Sequence, residues 1–175
     1  MIFATVGTDQ HDFSRLVKEL DRLAATMKEM VIVQLGYTKY EPRSMEWFRF
    51  RDYAAIEELY RKADLVITHA GAGSIISCLR HGKKPLVVPR LRMFGEHLND
   101  HQAGLARHLE LKGVVAAVYD IGNLSAAIKS AGRARTVQQG STRLASFLKD
   151  YLSGLADREQ SSEAASTISH SAHTT

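Results

Sequence analysis

With one cysteine, Cys78, in 175 residues, the chain has no internal disulfide framework and fits a reducing compartment. No apolar run approaches the ~20 residues that a bilayer-spanning helix needs. The opening stretch, Met1-Ile2-Phe3-Ala4-Thr5-Val6-Gly7, turns polar too soon for a secretory signal. Export and an integral membrane position are therefore disfavoured. No internal repeat is present, and no Asp-x-Asp pair of the kind that holds a metal. Charge of one sign is also scarce: 23 Lys and Arg against 19 Asp and Glu leave +4, a weak signal for an anionic partner. A surplus of four positive charges does not make nucleic acid an expected partner. What is present is 45% hydrophobic and 24% charged residues, enough for one packed domain.

Six short runs read as strands: Ile2 to Val6, Met30 to Leu35, Glu46 to Phe50, Asp64 to Thr68, Pro85 to Val88 and Val114 to Val118. Helical spacing lies between them. Phe13, Leu16, Val17, Leu20 and Leu23 mark a first helix, and Asp52 opens another through Arg61. Further helices are expected from about Ser74 to His81, Asn99 to Leu111, Leu124 to Ala131 and Thr136 to Leu155. Continuous apolar strands alternating with helices imply a parallel sheet covered on both faces, an open doubly wound α/β fold. Leu144, Phe147, Leu148, Tyr151, Leu152 and Leu155 form an apolar stripe that suits packing on the sheet or docking to a partner. The expected division is a domain over residues 1–155 and a disordered Ser/Thr-rich tail over 156–175.

Three segments follow strands, where ligands of such folds bind. Thr68-His69-Ala70-Gly71-Ala72-Gly73-Ser74 joins a strand to a helix. Its glycines admit close approach to backbone N–H groups at the helix start, which favour phosphate; Ser74 suits either a helix cap or a phosphate ligand. Neither a dinucleotide fingerprint nor a Walker loop is formed, since Ile76 stands where the former needs glycine and no Gly-Lys-Ser/Thr follows. Gly7-Thr8-Asp9-Gln10-His11 can face the same crevice, although Asp9 or Asp12 also suits capping of the next helix. The third segment, Arg90 to Gln102, gathers Glu96, His97, Asp100, His101 and Gln102, all able to bond sugar hydroxyls or phosphate; Asn99 or Asp100 could equally cap a helix. Arg80, Lys83, Lys84, Arg90 and Arg92, with no acid among them, form either a solvated basic edge or an anion-facing surface.

The combination of His-Ala-Gly-Ala-Gly-Ser over 69–74 with Gly-Glu-His-x-x-Asp-His-Gln over 95–102, joined by Val6-Gly7-Thr8 and Gly82-Lys83-Lys84-Pro85, resembles the donor-binding carboxyl-terminal half of MurG-type, family 28 glycosyltransferases. Within that family it is similar to the small catalytic subunits of two-subunit UDP-sugar transferases of lipid-linked oligosaccharide and exopolysaccharide synthesis. The resemblance covers about residues 1–130. It implies one half of a GT-B fold that binds a UDP-sugar, such as UDP-N-acetylglucosamine. Gly71, Ala72, Gly73 and Ser74 would then hold the diphosphate, with His69 and Ala70 beside it. Asp100, His101 and Gln102 would face the donor sugar, Glu96 and His97 would belong to the same UDP-sugar site, and Gly7 and Thr8 would line the opposite wall of the cleft. No cofactor and no metal ligand set are implied. Where relatives often carry a ribose-binding glutamate, three residues after the motif serine, this chain has Ser77. Each GT-B half needs on the order of 150 residues, so the acceptor half is expected on a second, membrane-associated polypeptide that binds a lipid-linked acceptor. That partner would hold this chain at the cytoplasmic membrane face. The family inverts the anomeric centre, which requires a base; His11, which equally reads as a surface histidine, is the candidate in this chain, and the partner polypeptide is the alternative source of the base. A non-catalytic subunit that stabilises a partner transferase is the other reading.

Overall fold

The structure of the chain, a computed structural model, describes residues 1–131. Six parallel strands form one sheet: β1 (Ile2–Thr5), β2 (Val31–Gln34), β3 (Glu46–Phe48), β4 (Leu65–Thr68), β5 (Leu86–Val87) and β6 (Ala116–Ala117). Five helices connect or flank them: α1 (Ser14–Ala24), α2 (Tyr53–Lys62), α3 (Ala72–Arg80), α4 (His101–Leu111) and α5 (Leu124–Ala131). The strand order is β3-β2-β1-β4-β5-β6. It reverses between β1 and β4, and loops leaving those two strands diverge to open a crevice at the carboxyl edge. Register aligns the edge: Thr5 of β1 sits beside Gln34 of β2 and Thr68 of β4.

The strands are apolar on both faces because both faces are covered. Ile2, Ala4, Val33 and Ile67 pack with Phe13, Leu16 and Leu20 on the α1 side, joined by Leu124 and Ile128 of α5. The alternate residues Phe3, Ile32 and Val66 pack with Leu59, Tyr60 and Ala63 at α2 and with Cys78 of α3. The Cys78 thiol is free and buried, and burial pushes its pKa up. Asp52 caps α2 as the sequence implies, its side chain accepting from Ala55 N at 2.8 Å.

Local chemistry moves several expected boundaries. Helix α3 starts at Ala72, two residues before the expected Ser74, with Gly71 as N-cap; Ser74 is therefore inside the helix and is not its cap. Helix α4 starts at His101 rather than Asn99. Asn99 Oδ1 accepts from His101 N at 3.2 Å and Asp100 Oδ1 from Arg92 N at 2.8 Å, which holds residues 99 and 100 in a turn. Neither Asp9 nor Asp12 is the cap of α1: Phe13 holds that position, and its N–H donates to Thr38 Oγ1 at 3.3 Å. β5 and β6 keep two paired residues each, although Val88 N still donates to Thr68 O and Val118 N to Val87 O, both at 2.8 Å. Arg90 does not belong to a solvated basic edge, because it is completely buried. The expected helix over 136–155, its apolar stripe and the tail over 156–175 lie outside the described residues.

Candidate functional site

A cavity of about 680 Å³ opens at the β1/β4 reversal. Of the residues singled out in the sequence, Gly7, Thr8, His69, Gly73, Ser74 and Gln102 line it. The first loop is set by short polar links: Thr5 Oγ1 donates to Gln34 Oε1 at 2.7 Å, and Gly7 N donates to Thr5 Oγ1 at 3.1 Å. Gly7 has φ +77°, a conformation that favours glycine.

His69 is enclosed by glycine backbone. A Cβ added at Gly7 or at Gly71 would overlap its imidazole ring, whereas nothing described lies within 4 Å of a Cβ at Gly73. Two of the glycines therefore make room for a histidine, and the third faces open space. Ser74 Oγ lies 3.2 Å from His69 Nε2. Burial, with the positive charge of Arg90 nearby, pushes the His69 pKa down to about 4, so the ring is neutral at pH 7. No side chain caps α3, so the first-turn N–H groups of this nine-residue helix are left for an anion.

The remaining expected residues, Ala70, Gly71, Ala72, Glu96, His97, Asp100 and His101, are not among those that line the cavity. Ala70 is packed completely in the interior. Gly71 and Ala72 form the N-cap and first residue of α3. Glu96 is engaged within the protein. It is 3% exposed, and its carboxylate accepts from Arg15 Nε and Nη2, both at 2.8 Å, and from Leu91 N at 3.0 Å. That carboxylate fastens the β5–α4 loop to α1. His97 packs between His11, with ring centroids 5.8 Å apart, and His101, at 4.6 Å. Asp100 is exposed and holds the N-cap position of α4 without a side-chain cap bond. Gln102 Oε1 accepts from Arg90 N at 3.2 Å.

The Asp9 carboxylate lies 2.6 Å from His11 Nδ1 and accepts from His11 N at 2.8 Å. Burial alone would raise the Asp9 pKa; the His11 hydrogen bonds and the Arg90 charge outweigh it and hold the group below the usual carboxylate range. Among the described residues no group of three or more His, Cys, Asp or Glu could hold a metal ion, and no helix is long and apolar enough to cross a membrane.

Sequence reasoning missed two parts of the site. One is a wall from α2 and the segment before it, with Arg51, Tyr53, Glu57 and Tyr60 lining the same cavity as Ser77. The other is Arg90, whose guanidinium donates to Val6 O at 2.9 Å, His11 O at 2.8 Å and Glu96 O at 3.2 Å while lying 4.6 Å over the Phe13 ring.

The sequence model described as the glycosyltransferase family 28 C-terminal domain matches residues 1–154. The human UDP-N-acetylglucosamine transferase subunit ALG13 is 31% identical over 123 residues, which is 64% of this chain and 10% of that protein. The chain thus spans about a tenth of the length of the curated relatives it matches. Among solved structures, the calicheamicin glycosyltransferase CalG4 aligns with a TM-score of 0.58 at 15% identity, over 89% of this chain and 44% of that one. MurG of Acinetobacter baumannii aligns with a TM-score of 0.52 at 15% identity, over 84% and 49%. Both are GT-B glycosyltransferases, and at these identities the likeness is one of fold.

Proposed function

The chain belongs to the glycosyltransferase family 28 C-terminal domains, and from that premise we propose that it is the donor-binding, catalytic subunit of a heteromeric inverting transferase. It moves a sugar from a UDP-sugar to a polyprenyl-linked acceptor. A membrane-associated partner subunit binds that acceptor and holds the chain at the cytoplasmic membrane face. Residues 1–155 form the donor-binding half, and the hexosyltransferase is active only when both subunits meet.

One observation carries the reading: an uncapped helix N-terminus, open space over Gly73 and a neutral histidine converge at the sheet's reversal point. As the bond between the anomeric carbon and the diphosphate oxygen breaks, negative charge grows on the departing UDP. The first-turn N–H groups of α3 and the helix dipole stabilise that charge more than they stabilise the ground state. With its proton on Nε2, His69 donates to Ser74 Oγ and leaves the serine hydroxyl hydrogen for a phosphate oxygen. The acceptor hydroxyl attacks the opposite face of the sugar and loses its proton to a base. His11 is this chain's candidate: Asp9 engages its Nδ1, which leaves the Nε2 lone pair for the proton.

The full chain, co-produced with its membrane partner, is expected to release UDP from a UDP-sugar when lipid-linked acceptor is supplied. Gly73→Asp, which has room for its side chain but sets a carboxylate in the phosphate's place, is expected to lower turnover at least 100-fold. Retained turnover overturns the phosphate assignment. Absence of UDP-sugar binding, alone and with the partner, favours the non-catalytic stabilising role instead.

A further inference from the structure

Three large apolar side chains stand in solvent on one loop. Met93 is 79% exposed, Phe94 53% and Leu98 76%, all on the segment between β5 and α4. Single exposed apolar residues are ordinary, but a cluster of them marks a contact surface. The loop rises from the carboxyl edge of the sheet, the edge at which the cavity opens, and none of the three lines that cavity. The tip is braced from below. Arg92–Phe94 form a 3-10 turn closed by Gly95 at φ +67°. The buried Glu96 carboxylate beneath it is held by Arg15, whose guanidinium lies 4.9 Å from the Phe94 ring.

The backbone indicates which medium the tip suits. Leu91 N donates to Glu96 Oε2 at 3.0 Å and Arg92 N to Asp100 Oδ1 at 2.8 Å. Phe94 N donates to Leu91 O, Gly95 N to Arg92 O and Glu96 N to Leu91 O. These N–H groups are satisfied inside the loop, so the tip can enter an apolar medium without stranding them. A protein partner instead draws on about one hydrogen bond per 100–200 Å² of interface, and these donors are already taken. Charge points the same way. Lys18 on α1, Lys39 and Arg92 are exposed. Lys18 lies one turn along α1 from Arg15, and Lys39 is tied to the start of α1 through its N–H bond to Asp12 Oδ1. The acids nearby are each engaged within the protein: Asp12 with Lys39 N, Glu19 with Arg22 and Asp100 with Arg92 N.

We propose that this loop inserts Met93, Phe94 and Leu98 into the surface of an anionic bilayer, with Lys18, Lys39 and Arg92 at the headgroups. Apolar side chains held in this way reach about 5–10 Å into the boundary between headgroups and acyl chains. The cations add an attraction that salt weakens. The contact is the chain's own, made with or without the second polypeptide of the proposed function, and it turns the sheet's carboxyl edge toward the membrane.

Sedimentation of the full chain with vesicles tests it. The chain is expected to bind vesicles of one part phosphatidylglycerol to two of phosphatidylcholine, at least tenfold more weakly to phosphatidylcholine alone, and less as salt is raised. Met93→Ser, Phe94→Ser and Leu98→Ser together are expected to weaken binding to the mixed vesicles at least tenfold. Lys18→Glu with Arg92→Glu is expected to abolish the preference for anionic lipid. Circular dichroism and melting temperature report whether each variant folds. Met93→Trp reads insertion directly: its emission, compared with that of the wild-type chain and its Trp47, is expected to shift to the blue on the mixed vesicles. Undiminished binding by the triple serine variant overturns the proposal and places the attraction in charge elsewhere. A wild-type chain that ignores both kinds of vesicle also overturns it. Loss of a dimer in the triple variant would then make the loop an interface between copies, and loss of the partner subunit would make it a protein contact.

Discussion

His69 shows how much one side chain can ask of its neighbours. Its ring fits only because Gly7 and Gly71 carry no Cβ, and it stays uncharged because burial and Arg90 disfavour the proton. Those facts fix a pH dependence. The folded-state pKa is about 4 and the ordinary value 6.5, so the unfolded chain takes up the proton first. The stability this residue confers is complete above about pH 6.5 and is lost as pH falls toward 4, by about 3 kcal/mol at the acid end. Denaturant titrations at pH 7 and 4.5 on the wild-type chain and on His69→Gln check this. Acid is expected to cost the wild-type chain about 2 kcal/mol more than the variant, since other titrating groups are common to both. Equal losses would mean that His69 already carries its charge in the folded state.

Among the elements, the loops after β1 and β5 are joined through Arg90. Its guanidinium reaches Val6 O, His11 O and Glu96 O, and Arg15 adds a second link from α1 to Glu96 and to Pro89 O at 2.9 Å. Arg90→Met keeps the stem over Phe13 but leaves those carbonyls without donors, at a cost expected to reach about 3 kcal/mol or more in urea unfolding. Arg90→Lys, with one ammonium in place of a planar fork, is expected to recover only part of it. A change below about 0.5 kcal/mol for the methionine variant would show the loops to be held by other contacts. The sheet and helices were legible because their patterns are local. Continuous apolar runs such as Leu65-Val66-Ile67 mean two covered faces, and the α1 residues repeat at helical spacing. The His-Ala-Gly-Ala-Gly-Ser loop was legible for the same reason. Arg90 was not, because among Arg80, Lys83, Lys84 and Arg92 nothing in the sequence distinguishes the one cation that the fold buries. Glu57 and Ser77 line one cavity from two helices, a pairing that only tertiary structure creates. The sequence does not reveal that Arg15, 81 residues away, engages the Glu96 carboxylate.

At the scale of the molecule, the chain aligns with 44% of CalG4 and 49% of MurG from Acinetobacter baumannii. On the proposed function, its donor site is one wall of a cleft that a second polypeptide completes. A single wall can still bind the donor if the diphosphate's chief contacts belong to α3 and the loop before it. Binding to the folded state alone then stabilises the chain by RT ln(1 + [L]/Kd), about 2.7 kcal/mol at a hundredfold excess of ligand over Kd. For a chain of this size each kcal/mol moves the melting temperature by roughly 2–4 °C, so saturating UDP is expected to raise it by about 5–10 °C. UMP lacks the second phosphate and is expected to give a clearly smaller rise at the same concentration. Gly73→Asp separates binding from folding: with open space at that position, the variant is expected to melt near the wild-type temperature without ligand and to show no rise with UDP. An undiminished rise in the variant would place the diphosphate away from α3. A rise as large with UMP would mean that the nucleoside and one phosphate supply the affinity, and the helix N-terminus would then contribute little to holding the donor.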